Sequence, residues 1–382
     1  MKPIGAPTLA LVGAWFLVSV ILADGCTRPV EPSGPPTESP GQFLHMLSLV
    51  PDTPDTRHDV RIDDYERVRN TLHITPSVDD ELYYLNSGDF RLPLGSMLSR
   101  GFLTGVDAYA FQSPIKRNNV GFGPLDVDMD LTSGTPAYTF EIVKGRYDPQ
   151  RTAEALANQP VMAREIYATQ LYKNVIIHSW AEVPYRVENR LAAPVFDRNA
   201  RALPIAVADG YVFRYNAVEG VKAMIDLRGG EKAVVGGMVI HSLASAPEYG
   251  LLANMSERLG AFSIYLSDRG KTPSDYPGKG FEHTPLLRHY TTMAIGTGTD
   301  EEGLYVTVIL AHETVDSASQ NVELLRRRIN ETSSLRTGEP WRHTVEVLDI
   351  HAEGTLLVAR LRGVEADAIL HFNEPFLLEE SQ

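Results

Sequence analysis

Cysteine is the scarcest residue of this chain, with a single one, Cys26, in 382 residues. An intrachain disulfide needs two thiols and a thiolate metal cage needs several, so both are excluded. Basic charge is also short: 35 Lys and Arg stand against 49 Asp and Glu, a formal net charge of −14. An acidic surface repels phosphate backbones, which argues against nucleic acid and against a polybasic membrane patch. The one basic run, Arg326, Arg327 and Arg328, reads as a solvated helix face.

Catalytic signatures are missing as well. The sequence contains no Gly-x-Ser-x-Gly elbow, no Gly-x-x-x-x-Gly-Lys phosphate loop, no dinucleotide fingerprint and no His-Glu-x-x-His. The glycine-rich stretches "GTGTD" and "GGEKAVVGG" suit turns between strands better than phosphate cradles. Long apolar runs are reduced to one, residues 9–23, which is short for the roughly 20 apolar residues of a spanning helix.

That run fits an export signal instead. Lys2 supplies a positive start, the apolar stretch follows, and Leu22, Ala23, Asp24, Gly25 and Cys26 close it. The ending resembles a bacterial lipobox, in which Leu and small residues precede the cysteine that takes the lipid. Asp24 departs from the small residue usual at its position. The resemblance makes Cys26 the lipid attachment site, bearing a diacylglyceryl group and fatty acyl chains such as palmitate. The next stretch, "TRPVEPSGPPTESPGQ", holds five prolines and one aliphatic residue, Val30. Such a composition buries too little apolar surface to offset its ordering entropy, so residues 27–42 are expected to form a disordered tether.

About 357 residues remain after residue 25, enough for two domains with cores of their own. Strand-like alternation and capped helices recur from Phe43 onward. "VRIDDYERVRNTL" turns from strand to helix with Asp63 and Glu66 at capping-box spacing, and 78–86 is a further helix candidate. Tyr138, Phe140 and Ile142 alternate as a strand face should. Asp148 and Pro149 then open a helix whose stripe is Ala153, Leu156 and Ala157. Asp209-Gly210 predicts a tight turn between strands, with Asn216 and Glu219 opening the next helix and Gly229 ending it. Ser245 and Glu248 are spaced to cap another helix, stopped at Gly260. Hairpins follow around "GTDEEG" and "HAEG", with a helix at about 316–330 between them.

The expected fold class is α+β, with mixed or antiparallel sheets, helices packed on one face, and two lobes. "TFEIVKGRYDPQRTAEAL" and "YVTVILAHETVDSASQNVELL" both run strand, polar break, helix, the pattern of a repeated ferredoxin-like or split βαβ unit. The expected division is a signal peptide over 1–25, a tether over 26–42, a larger domain over 43–266, a linker over 267–285 and a smaller domain over 286–382.

Three sets of residues are candidates for chemistry. Asp126, Asp128 and Asp130 in "LDVDMDL" could offer oxygen ligands to calcium, but an EF-hand would need Gly and Glu where Leu131 and Ala137 stand. They read as a polar turn or solvent-facing edge. Ser113 and Lys116 in "SPIK" match a serine–lysine spacing without the partner motifs of that chemistry. His283 with His289, and His343 with His351, lack further ligands at metal spacing and read as surface or hydrogen-bonded residues. No catalytic, metal or cofactor site is therefore expected.

The stretches "LSLVPDTPDTRHDVRIDDY", "FGPLDVDMD", "VKGRYDP", "MAIGTGTDEEGLYVTVILAHE" and "NVELLRRRI" resemble a group of uncharacterised bacterial extracytoplasmic lipoproteins. The resemblance implies an extracytoplasmic chain, lipid-anchored to the cell membrane, and carries no active-site residue across. The expected partners are the membrane, through the lipid, and either an envelope protein or a small-molecule ligand. The alternatives are a solute-binding lipoprotein serving a transporter, with ligand captured between two lobes, and a cryptic hydrolase assembled from distant residues.

Overall fold

Alternating apolar and polar residues become strands of one sheet, as in β2 (Val127–Ser133), where Val127, Met129 and Leu131 are all buried. The computed structural model describes residues 41–71, 121–122, 126–134, 139–146, 148–158, 167–180, 204–276, 281, 284–335, 337–363 and 376–380. The other strands are β1 (Val60–Asp64), β3 (Phe140–Gly145), β4 (Tyr167–Tyr172), β5 (Val175–Trp180), β6 (Ile205–Ala208), β7 (Tyr211–Arg214), β8 (Ala233–Val235), β9 (Met238–Ile240), β10 (Ala261–Ser267), β11 (Thr292–Asp300), β12 (Gly303–Ala311), β13 (Glu346–Glu353) and β14 (Leu356–Arg362).

Twelve of them form one sheet in the order β13-β14-β12-β11-β10-β1-β2-β3-β7-β6-β5-β4, and β8 pairs with β9 apart from it. Every pairing between neighbouring strands is antiparallel.

The helices are α1 (Gln42–Leu47), α2 (Pro54–His58), α3 (Tyr65–Thr71), α4 (Pro149–Ala157), α5 (Val218–Arg228), α6 (Pro247–Arg258), α7 (Val315–Glu331) and α8 (Trp341–Thr344). A large core lies on one face of the sheet, where Ile62, Leu131, Ile142, Phe213, Ile264, Ala294, Ile309 and Val358 meet α1, α5 and α6. A second core uses the alternate residues of the later strands: Met293, Ile295, Val308 and Leu357 pack against Leu325 and Ile329 of α7 and Trp341 of α8. Helices thus cover both faces, where the sequence led us to expect one. The reason is that β11, β12 and β14 are apolar on both sides, and a strand buried on two faces needs two covers.

The chain forms the expected α+β fold, split units included. β12 and β13 both run antiparallel to β14, which lies between them, so the path β12–α7–β13 links parallel strands. β3 and β6 are likewise parallel around β7, with α4 and the β4–β5 hairpin between them in sequence. The order β2-β3-β7-β6 on one side of the β1–β10 pair repeats as β11-β12-β14-β13 on the other. The stretch 267–285 does not divide the sheet: β10 before it pairs with β11 after it, and the large core takes side chains from both sides.

Local signals hold in part. Asp148 caps α4 by accepting the Gln150 N–H at 2.9 Å, and Asp209-Gly210 turns between β6 and β7 with φ of 38° and 81°. The cap of α3 is Asp64, which accepts the Arg67 N–H at 2.8 Å; Asp63, expected there, lies inside β1. The N-caps of α5 and α6 are Ala217 and Ala246, with no side-chain hydrogen bond, rather than Asn216 and Ser245. In α4 the buried residues are Thr152 and Leu156, while Ala157 is exposed. The candidate helix 78–86 and Tyr138 lie outside the described residues.

"GTGTD" is not a turn but the end of β11. A Cβ on Gly298 would stand 2.5 Å from the ring of Tyr305, its cross-strand partner. That ring lies beneath the Arg360 guanidinium at 4.3 Å, and its hydroxyl donates to the Leu259 carbonyl at 2.6 Å. Glycine is needed there for the ring to cross the strand. Gly298→Val should lower the unfolding free energy by about 1–3 kcal/mol, the usual cost of overpacking, measured by urea titration of the full chain.

Candidate functional site

The central strands carry polar residues on the face opposite the large core. Asp63 and Asp130 are Cα partners across β1 and β2, and Glu141 and Arg214 are partners across β3 and β7. All four are buried or nearly so, with Asp63 and Asp130 at 1% and 2% exposure. Unpaired charges there would cost several kcal/mol each, so the sequence supplies partners. Ser263 donates to Asp63, Tyr65 donates its hydroxyl to Asp130 at 3.0 Å, and Arg214 grips Glu141 through two nitrogens.

Arg69 of α3 reaches the same face. Its guanidinium donates to the Val127 carbonyl and to Asp128 Oδ1, both at 2.6 Å, while Arg146 approaches Asp128 Oδ1 at 3.1 Å. Burial pulls the Arg69 pKa below its usual value, opposed by the neighbouring Asp128. Burial first, then the charges of Asp130 and Asp63, hold the Tyr65 phenol protonated well beyond its ordinary range, so Tyr65 acts as a donor.

Two of the aspartates taken as a polar turn or solvent edge are therefore buried in a central strand. Their alternation with Val127, Met129 and Leu131 is that of a strand with one apolar and one ion-paired face. The described residues contain no group of three or more His, Cys, Asp or Glu placed to hold a metal. Chemically, this row clamps α3 to the sheet.

The histidines divide in the same way. His289 lies 3.1 Å from Glu379, His351 is 2.8 Å from Asp349, and His343 stands beside Arg342. Three others, which the sequence did not single out, are built into the fold. His45 meets the Tyr211 hydroxyl at 2.7 Å, and His312 meets Asn321 at 2.6 Å. His178 on β5 is buried and contacts the Tyr167 hydroxyl across the β4–β5 pair. Burial pushes the His178 pKa down to about 4, so the ring that meets the Tyr167 hydroxyl is neutral. Cys26, Ser113, Lys116 and His283 lie outside the described residues.

The surface has a different focus, at one end of the sheet. Gln42, the first residue of α1, accepts from Lys144 at 2.9 Å. Near it, the β6–β7 turn holds Arg228 of α5 through Asp209 at 2.7 Å. At the neighbouring β4–β5 turn, Lys173 bridges Asp226 of α5 and Glu231, each at 2.7 Å. From Glu231 the chain enters the β8–β9 hairpin, which turns at Gly236-Gly237 with φ of 58° and 82°. One side packs, with Ala233 against Ala223 and Leu227 of α5 and Val235 alongside. The other side is bare: Val234 is 51% exposed and its cross-strand partner Val239 64%. Met238, the partner of Val235, is 66% exposed beside the turn.

No family model matches this chain, and no curated protein matches it. Among solved structures, the chain is similar to TP0453 in its crystal form III, at 9% identity and a TM-score of 0.37, covering 85% of this chain and 95% of that one. A similarity of that size carries no argument about fold or function.

Two outcomes are expected. Asp128→Ala leaves the buried Arg69 guanidinium without its carboxylate and should cost on the order of 3 kcal/mol, measured by chemical denaturation. The His178 ring is neutral in the fold above about pH 4, whereas in the unfolded chain it protonates near 6.5. Its contribution to stability is therefore full above pH 6.5 and declines as pH falls towards 4, by roughly 3 kcal/mol in all. Unfolding free energies of the native chain and His178→Gln, compared across pH 4–7, should differ by that slope.

Proposed function

We propose that this chain is an extracytoplasmic lipoprotein, held to its membrane by lipid on Cys26, whose folded part binds an envelope protein or a small molecule without catalysis. The observation that carries the reading is the order of segments in the sequence. An apolar run over 9–23 ends in "LADGC" and a proline-rich stretch follows. The first described helix then starts at Gln42. Each part has a physical reason to stand where it does: the signal delivers the chain, the cysteine accepts the lipid, and the proline-rich stretch spaces the body from the bilayer. Among the described residues no helix is long and apolar enough to cross a membrane.

A solute-binding lipoprotein would close two lobes over its ligand. The strands on either side of 267–285, β10 and β11, pair with each other in one sheet, which supports binding on a surface over capture between two lobes divided there.

The reading is tested by the intact mass of the protein recovered from membranes of its host, beside Cys26→Ala. The expected result is a chain beginning at Cys26 and carrying diacylglyceryl, with the variant losing the lipid and the membrane association it confers. An unprocessed chain of the same mass plus or minus the substitution in both samples overturns the tether and makes 9–23 the anchor.

A further inference from the structure

We infer that β4 is an interface between two copies of this chain: its outer edge pairs antiparallel with β4 of a second copy, about a two-fold axis at Thr169. Among the described residues the sheet ends in β13 on one side and in β4 on the other, and the two ends are built differently. β13 carries Glu346, Asp349 and Glu353, and its register with β14 breaks between Val347 and Asp349. Charge and a bulge are devices that keep an edge strand from pairing with another chain. β4 reads "YATQLY", without charge or proline, and stays in unbroken register with β5 from Tyr167 to Tyr172. The β4–β5 hairpin also lies beyond the repeated order, which closes at β6 on this side and at β13 on the other. Ala168 and Gln170 on one face of β4, and Thr169 and Leu171 on the other, are all exposed.

The hairpin fixes which backbone groups face outward. Lys173 and Asn174 form its two-residue turn, with φ of 47° and 64°, the geometry in which the flanking pair, Tyr172 and Val175, exchanges both N–H···O bonds. Hydrogen-bonded and non-hydrogen-bonded pairs alternate from there, so Ala168, Gln170 and Tyr172 turn their N–H and C=O towards β5. Tyr167, Thr169 and Leu171 turn theirs away from it. A row of such groups is completed by an extended strand laid along it.

The side chains select β4 itself as that strand. On the face that carries Thr169, the hairpin presents an aliphatic cross-strand pair, Leu171 with Ile176, and an aromatic one, Tyr167 with Trp180. Leu171 is 69% exposed and Ile176 46%, whereas Tyr167 is half-buried, its ring 5.6 Å from that of Trp180. An antiparallel copy centred on Thr169 sets Leu171 opposite Tyr167 of the second chain, and Tyr167 opposite its Leu171. Residues paired across strands share a face, so the aliphatic pair of each copy continues into the aromatic pair of the other as one row across both hairpins. The outward backbone groups match in the same register, since Thr169 meets Thr169 and Tyr167 meets Leu171. Moving the axis to Gln170 would set Tyr167 against Lys173, whose positive φ ends the strand. Two bodies that each carry a net charge of −14 meet with least repulsion at an uncharged strand. A strand paired with its own copy about a two-fold axis forms a closed assembly of two.

The test is the mass of the full chain in detergent micelles, measured by sedimentation from about 1 to about 100 µM, the range of a small interface. The native chain should pass from one copy to two as concentration rises. Thr169 is exposed and stands at the axis, so Thr169→Lys or Thr169→Glu sets like charges opposite each other and should weaken pairing by about fivefold. An equal mixture of the two variants should pair at least as well as the native chain, because opposite charges then face each other. Far-ultraviolet dichroism and thermal melting check that both variants fold. A native chain that stays single throughout the range overturns the inference. A pair that neither charge weakens also overturns it and lies on another surface. Variants that stay single in the mixture overturn the axis at Thr169, and the inference with it.

Discussion

The fold depends on one antiparallel seam, β1 against β10, between segments about two hundred residues apart in the chain. Val60 to Asp63 pair with Leu266 back to Ser263, and each half of the sheet extends outward from this pair. The seam is reinforced beyond its ladder. His58 contacts Asp268 at 2.6 Å, Ser267 donates to the His58 carbonyl at 2.6 Å, and Tyr249 of α6 donates to the Arg57 carbonyl. A contact of such sequence separation carries a large loop-closure cost, so it is held by hydrogen bonds from side chains as well as by the sheet.

The seam also explains why the face opposite the large core tolerates charge. At its centre, Asp63 sits between Ser263 on one neighbouring strand and Asp130 on the other. Two adjacent buried carboxylates would repel each other, so the fold has to bring donors to both. It does so with Ser263 and Tyr65. Tyr65 follows β1 directly in α3, which ties the helix to the sheet by the same groups that satisfy the aspartates. Polar residues here fix the position of a helix that has few apolar contacts of its own.

What was legible in the sequence was local. Asp209-Gly210 carries its turn in two residues, Asp148-Pro149 carries a helix start, and the strand–break–helix pattern foreshadowed the split units. What was not legible depended on distant partners. Asp128 looks like a solvent-facing aspartate until Arg69, 59 residues earlier, reaches it. His178 has no signal in its own neighbourhood, because its burial follows from the strands on either side of β5, where Thr169 and Ile205 stand opposite it, and from the Tyr167 hydroxyl. The linker expected at 267–285 looks like a boundary in composition, rich in Gly, Pro and charge. The strands on either side of it, β10 and β11, pair with each other in one sheet, and nothing local signals that pairing. The helix caps erred for a related reason: Asp63 and Asp64 are equivalent in a spacing rule, and the pairing of β1 decides which one faces Ser263 and which one is left to cap α3.

The β8–β9 hairpin inverts this economy. Elsewhere the fold brings partners from far along the chain to satisfy buried polar groups, whereas here it leaves apolar groups without partners in the described structure. Apolar area left in water forgoes about 25 cal/mol per Å², and hairpins with open edges invite pairing with other chains. Strands of only three residues, each tightly turned at two glycines, limit that second hazard. They do nothing for the first, since Val234, Met238 and Val239 stay exposed by more than half. Substituting polar residues at these three positions would remove the cost without touching Ala233, which alone is fully buried against α5.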